Sequence, residues 1–284
     1  MKLFPLLAAL ILLNQSALAQ DTPPEVPLQD STVVVAPASF EEAIAMFEDK
    51  KFADARAIAE PMANAGDARA MAMLGAMLQK GFGTTVDLKA AQNWFSQAAE
   101  KGHPGAQFSL AMMLLDGSSG KPNTDEAAKW LERAATGGNV EAQYNLGLLY
   151  LDGKGVEKDT VSAADWLSRA AVKGMPEAAL EYGVMVLRGE GVQRDEKIGI
   201  KWLLYAANRG HPVAQNRLAR IYATGTGVSA DLVEAAKWNL LAAKGGRPDS
   251  TLDEMMAKLT DAQRKDATTR ADEFTAAEAE SVPN

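Results

Sequence analysis

The sequence predicts an all-α fold, a solenoid of helix-turn-helix repeats with a period of 36 residues, on three observations. The five tryptophans, at positions 94, 130, 166, 202 and 238, are each 36 residues apart. An Ala-Ala pair recurs in the same frame from Ala98-Ala99 to Ala242-Ala243, and a single alanine does so at Ala70, Ala106, Ala142, Ala178 and Ala214. Two glycine series share the interval, one at Gly81, Gly117, Gly153, Gly189 and Gly225, the other at Gly102, Gly138, Gly174, Gly210 and Gly246.

Taken in order, residues 1–19 read as a secretory signal peptide. Lys2 precedes an apolar stretch from Leu3 to Leu13, then a polar turn, then the small-x-small site Ala17-Leu18-Ala19. The stretch is shorter than the roughly 17 to 25 residues that span a bilayer, so cleavage before Gln20 is expected rather than a membrane anchor. The absence of cysteine excludes a lipid anchor at the new terminus. Residues 20–38 carry Pro23, Pro24, Pro27 and Pro37 and read as an extended linker, because proline fixes φ and lacks an amide donor. Residues 39–66 fall into the repeat frame only through Ala55, Ile58, Met62-Ala63 and Gly66, and read as a degenerate N-terminal capping hairpin that Pro61 should kink or shorten.

Residues 67–246 hold five repeats of two helices each. The first helix opens near Pro104, Pro176 or Pro212, where the missing N–H costs nothing, and carries a stripe such as Ala106, Leu110 and Leu114. It ends at a Gly-x-Gly-Val turn, as in Gly189-Glu190-Gly191-Val192. The second helix starts at Asp87, Asn123, Asp159, Asp195 or Asp231, whose side chains accept from free amides. Asn123 with Glu126, and Asp231 with Glu234, have capping-box spacing. Ala127, Trp130 and Ala134 share a helix face, so the indoles are expected as core wedges between small neighbours. Residues 247–274 read as C-terminal capping helices, the second begun by Thr260 with Gln263, and residues 275–284 as a tail.

The pattern A-x3-LG-x2-Y-x2-G-x-GV-x2-D-x6-W-x3-AA-x2-G resembles the Sel-1-like repeat, a relative of the tetratricopeptide repeat. Its fullest copy is Ala142, Leu146-Gly147, Tyr150, Gly153, Gly155-Val156, Asp159, Trp166, Ala170-Ala171 and Gly174. Ser119, Tyr182 and Gly199 depart from it locally. The resemblance implies a right-handed superhelical solenoid, export in bacteria, and a role in envelope regulation or assembly. The implied partner is another protein, such as a sensor kinase or an assembly component.

Composition narrows the chemistry. The chain of 284 residues carries 29 Lys+Arg against 37 Asp+Glu, a formal charge of −8, and has no basic run that would neutralise phosphates, so nucleic acid is not an expected partner. Without cysteine there is no disulfide, thiolate-held zinc or thiol nucleophile. Ser118-Ser119-Gly120-Lys121 matches the S-x-x-K acyl-enzyme signature, but it lies in a glycine-rich turn without the companion S-D-N or K-T-G motifs. Leu115 stands where a phosphate loop needs its first glycine. His103 and His211 occupy equivalent positions three repeats apart, so about 30 Å should separate them and they cannot share a metal ion. Each precedes proline at the start of a helix and reads as a turn residue. Carboxylate pairs such as Asp125-Glu126 sit where the helix dipole favours them.

These readings lead to an expectation of an exported, periplasmic, non-catalytic binding scaffold or envelope regulator without a cofactor. Its candidate partner-binding residues lie three beyond the fixed alanine of each first helix, where the copies differ: Ser109, Asn145, Glu181 and Arg217, with Met73 in the first copy. Methionines 71, 73, 77, 112, 113 and 185 also fall on first helices and suit either an adaptable groove or the core. The alternative function is an envelope enzyme acting on cell wall or β-lactams, an activity of similar cysteine-rich proteins from which this chain's lack of cysteine separates it.

Overall fold

The structure, a computed structural model, describes residues 39–274 together with Val282 and Pro283. The leader, the proline-rich linker and most of the tail lie outside the described residues. Among the described residues there are fourteen α-helices and no strand. In chain order they are α1 (Phe40–Glu48), α2 (Phe52–Asn64), α3 (Ala68–Lys80), α4 (Leu88–Glu100), α5 (Pro104–Asp116), α6 (Thr124–Thr136) and α7 (Val140–Asp152), followed by α8 (Thr160–Val172), α9 (Pro176–Arg188), α10 (Glu196–Asn208), α11 (Pro212–Thr224), α12 (Leu232–Lys244), α13 (Ser250–Met256) and α14 (Asp261–Asp272). The chain divides into two compact units, one ending at Gly137 and the other beginning at Gly138. Within each, every repeat helix packs on its neighbours in the chain.

Each of the ten repeat helices is 13 residues long because its ends are specified chemically. First helices stop at a left-handed glycine whose N–H turns back four residues, as Gly117 to Met113 and Gly189 to Met185. Second helices start where Asp87, Asn123, Asp159, Asp195 or Asp231 accepts an amide of the first turn. The reciprocal half of the expected capping boxes is absent. The amide of Asn123 donates to Leu114 and that of Asp231 to Tyr222, so neither is free for the glutamate three residues on. Glu126 instead accepts from the Asn123 side chain, and Glu234 pairs with Lys237. Second helices close by a six-to-one bond, as His103 to Ala98 and His211 to Ala206, followed at once by the next first helix. His103 therefore ends one helix and caps the next, with Nδ1 accepting from the Ala106 amide at 3.1 Å.

The core differs from expectation at its centre. Trp202 and Trp238 are 4% and 2% exposed, but Trp94, Trp130 and Trp166 are only half-buried. The guanidinium groups of Arg133 and Arg169 lie 4.7 and 4.6 Å from the ring centres of Trp130 and Trp166. The residue after the tryptophan is the wedge: Phe95, Leu131, Leu167 and Leu203 are wholly buried. In α6 the buried set is Ala127, Ala128, Leu131, Ala134 and Ala135, an i, i+4, i+7, i+8 stripe centred one residue past the indole. Glycine on the first helix makes room for this wedge, since a Cβ at Gly147 would stand 2.7 Å from Leu167 Cγ. Trp202 is buried because two extra aromatics cover it, Tyr182 and Tyr205, with centroids 5.6 and 6.0 Å away. Tyr182 is one of the departures from the repeat pattern.

The ends close differently. In the first unit α2 runs 13 residues and contains Pro61, so no shortening occurs. Pro61 sits in the last turn, where it forfeits a single helical donor. Phe47, Phe52 and Phe82 pack with centroids 4.9 to 5.4 Å apart. In the second unit α14 buries only Ala267 and Ala271 and turns a polar side outward, which a terminal helix of a stack requires. Its Thr260–Gln263 capping box is complete. Asn239 occupies the wedge position of the last repeat and donates to Asp253 at 2.7 Å, so the apolar column ends in a polar lock to α13.

Candidate partner-binding surface

The candidate positions are the sixth residue of each first helix. Whether that residue faces solvent depends on how wide the buried sector of its helix is. In α3 and α5 the sector extends around most of the helix, and Met73 and Ser109 are 6% and 7% exposed. The expectation of a variable solvent position therefore fails in the first unit, where neither residue is an open contact surface. The buried set runs without a break through these positions, from Ala70 to Met77 in α3 and from Ala106 to Ala111 in α5.

In the second unit the sector narrows. Asn145 is half-buried and spends its side-chain amide on the Glu141 carbonyl at 2.7 Å. Glu181 and Arg217, on α9 and α11, are half-buried and form no ion pair within 4 Å among the described residues. The Nε of Arg217 is shielded from solvent and has no acceptor among the described residues. Burial pushes the phenol of Tyr144 on α7 above its usual range, and the carboxylates of Glu181 and Glu177 add to the effect. Arg220, one turn beyond Arg217, bonds through Nε to Asp249 at 2.9 Å, and Asn216 bonds to the same carboxylate at 2.9 Å. The Asn216 hydrogen bond leads the effects holding the Asp249 carboxyl below the usual range.

Two residues with clear roles escaped the sequence reading. Gln107 and Gln215 are buried, and their amides donate to the carbonyls of Ala99 and Ala207 at 3.1 Å, tying a first helix to the end of the preceding second helix. Glutamine recurs at 107, 143 and 215, in the 36-residue frame, and that was the available signal.

The groups with catalytic potential stand apart from one another in different turns and caps. Ser118 Oγ is buried without a hydrogen-bond partner, so Lys121 does not activate it in this structure. Burial holds the His103 imidazole below its usual range, and its Nδ1 is engaged in the cap. Nδ1 of His211 is buried without a partner. Among the described residues no group of three His, Cys, Asp or Glu could hold a metal ion, and no helix is long and apolar enough to cross a membrane.

The Sel1 repeat profile matches residues 68–103, 104–139, 140–174, 176–211 and 212–246. The chain belongs to the Sel1 repeat family. Among solved structures, this Sel1 repeat protein is similar to a Sel1 repeat protein from Oxalobacter formigenes, at 26% identity and a TM-score of 0.70 over 85% of this chain and 98% of the other. It is also similar to a protective antigen of uropathogenic Escherichia coli strains displaying an SLR fold, at 26% identity and a TM-score of 0.55 over 83% of this chain and 61% of that one. A search of curated proteins returned no match. Sel1 repeat proteins are generally protein-interaction scaffolds.

Proposed function

We propose that this Sel1 repeat protein is an exported, non-catalytic scaffold or regulator of the bacterial envelope that binds another protein, such as a sensor kinase or an assembly component, through the first helices of its second unit. The observation that carries this reading is the pair Glu181 and Arg217, half-buried opposite charges on successive first helices with no ion-pair partner among the described residues. Unpaired charges held on capped, rigid helices are pre-organised for a partner, because little side-chain or backbone freedom remains to be lost on binding. Export is supported by the order of charge, apolar stretch and small residues over Lys2 to Ala19.

A photoreactive amino acid at exposed Glu177 on α9 should give a discrete protein adduct in living cells, and the same group at exposed Glu132 on α6 should not. Adducts from Glu132 alone would sink the assignment of the face. Amino-terminal sequencing of the purified protein should start at Gln20.

A further inference from the structure

The last two helices close the stack against α12 incompletely. Helix α14 packs on α12 but buries only Ala267 and Ala271, and alanine side chains are too short to fill the space between helices roughly 8–10 Å apart. What results is an open cleft of about 300 Å³ among α12, α13 and α14, at the lower end of the range for small-molecule sites. Its apolar wall is Ala236 and Leu240 of α12, Met256 of α13, Leu259 of the connecting turn and Ala267 of α14. Leu240 is 36% exposed, so part of this wall stands in water. The unbranched thioether of Met256 suits a wall that adapts to a guest.

The polar groups of the cleft do not balance. Arg264 is already committed, since its guanidinium donates to the carbonyls of Ala257 and Leu259 and pairs with Asp261. Asp253 is exposed and has no ion pair within 4 Å among the described residues. Its Oδ1 accepts from the Asn239 amide at 2.7 Å, which holds the carboxylate in one orientation, while Oδ2 has no donor among the described residues. Asn239 itself is 3% exposed, and its own Oδ1 is closed to solvent and lacks a donor among the described residues. That oxygen offers a ligand no contact, but an unmet acceptor behind the wall adds negative potential to that of the carboxylate. An anion entering the cleft meets this potential unfavourably, and an uncharged guest leaves Asp253 unpaired. A cation with an aliphatic body satisfies both the wall and the carboxylate.

We propose that the cleft among α12, α13 and α14 binds a small aliphatic primary amine, with its ammonium group on Asp253 Oδ2 and its alkyl chain against Leu240, Met256 and Leu259. An alkylammonium keeps its charge at neutral pH, as lysine does, and brings three donors to the carboxylate. The site uses none of the first helices and goes beyond the scaffold reading. A bound amine touches all three helices, so it holds the end of the stack together.

The test is a titration of the full chain, labelled with carbon-13 at its methionine methyl groups, with hexylamine, hexan-1-ol and hexanoate at neutral pH. The Met256 methyl signal, assigned by its loss in Met256→Leu, should shift saturably with hexylamine. The dissociation constant should be at least about fivefold lower than for the alcohol or the carboxylate, the upper end of what an exposed charge pair is worth. Asp253→Asn should reduce hexylamine to the level of hexan-1-ol, and Leu240→Trp, which fills the cleft, should abolish the response to all three. Equal affinities for the three ligands, or no saturating shift, would overturn the proposal. So would tighter binding of hexanoate, which would assign the cleft to Arg264, or undiminished hexylamine binding by Asp253→Asn. If Asp253→Asn melts early through loss of its bond to Asn239, the ranking of ligands on the wild type and the response of Leu240→Trp decide. Failure here leaves the scaffold reading as it stands, because that reading is tested on α9.

Discussion

Gly191 and Gly210 have nearly the same left-handed backbone, with φ of 69° and 80°, but opposite surroundings. Gly210 ends a second helix, and a Cβ built on it meets nothing within 4 Å. Gly191 lies in the Gly-x-Gly turn of the fourth repeat, and a Cβ there would stand 1.9 Å from the Thr160 carbonyl oxygen and 2.3 Å from its carbon. Thr160 is the first residue of α8, in the preceding repeat. Replacing either glycine by alanine incurs the left-handed penalty of about 1–2 kcal/mol, offset by about 0.4–1 kcal/mol from the stiffer unfolded chain. Gly210→Ala should therefore cost about 1 kcal/mol. Gly191→Ala must in addition push two backbone segments about 1 Å apart, and overpacking of this kind costs roughly 1–3 kcal/mol. The same shift strains the cap in which Asp159 accepts from the Val161 amide at 2.9 Å, a contact worth about 1 kcal/mol. The expected total is about 3 kcal/mol or more. Urea unfolding followed by circular dichroism at 222 nm measures both variants on one scale. Equal losses, or a Gly191→Ala loss near 1 kcal/mol, would show that the turn glycine serves conformation alone and that the close approach between repeats has no energetic weight.

Leu167→Ala should destabilise by about 2–5 kcal/mol and Trp166→Ala by less, because the leucine is wholly buried and the indole half-exposed; the same urea titration ranks them. His103 is neutral in its cap and titrates below its unfolded value, so its contribution is present above the usual histidine range and is lost as pH falls through that range toward the folded value. A His103→Asn protein, which keeps the acceptor, should lose that part of the pH dependence of its melting temperature. Asp249 also titrates low in the folded state, so its contribution is present above the carboxylate range and disappears as pH falls through the folded value. Asp249→Asn should cost about 1 kcal/mol at neutral pH and flatten the melting curve's response to acid. Gln215→Leu should destabilise by only about 0.5–1.5 kcal/mol in urea, the worth of one lost hydrogen bond, because the Ala207 carbonyl keeps the Gly210 amide.

The fold was legible because a stack of repeats makes one local problem recur five times. Each boundary is set by a residue type with a short-range mechanism: glycine for a left-handed stop, aspartate for a cap, proline for a start. The centre of the core was harder to read for a related reason. Helical periodicity gives a stripe but fixes its centre only to about one residue, and the most recognisable side chain drew the centre onto tryptophan. Leu131, Leu167 and Leu203 attract no notice individually, yet they are the buried set, and Phe95 holds the same place in the first copy. The capping boxes failed on information that no local window contains. Asn123 and Asp231 give their amides to carbonyls nine residues back, a bond that exists only once the preceding turn has folded.

The surface was less legible, because variation among copies records only that the repeat fold does not dictate a residue. Ser109 and Arg217 vary alike in sequence, but one is sealed among apolar neighbours and the other carries a guanidinium with a donor left over. What separates them is the width of the buried sector in α5 and α11, which each helix's neighbours determine. Asp249 sharpens the distinction: it neutralises Arg220 and caps α13 with the same carboxylate, while Arg217, one turn away, receives no acceptor. Had charge on this face served stability alone, a second acceptor for Arg217 would be the simplest improvement, worth about 1–3 kcal/mol for a charged hydrogen bond. Arg217→Met therefore separates the two roles. A protein that melts at or above the wild-type temperature but no longer gives the Glu177 adduct carries its arginine for recognition. A protein that loses stability and keeps the adduct carries it for packing of the aliphatic stem.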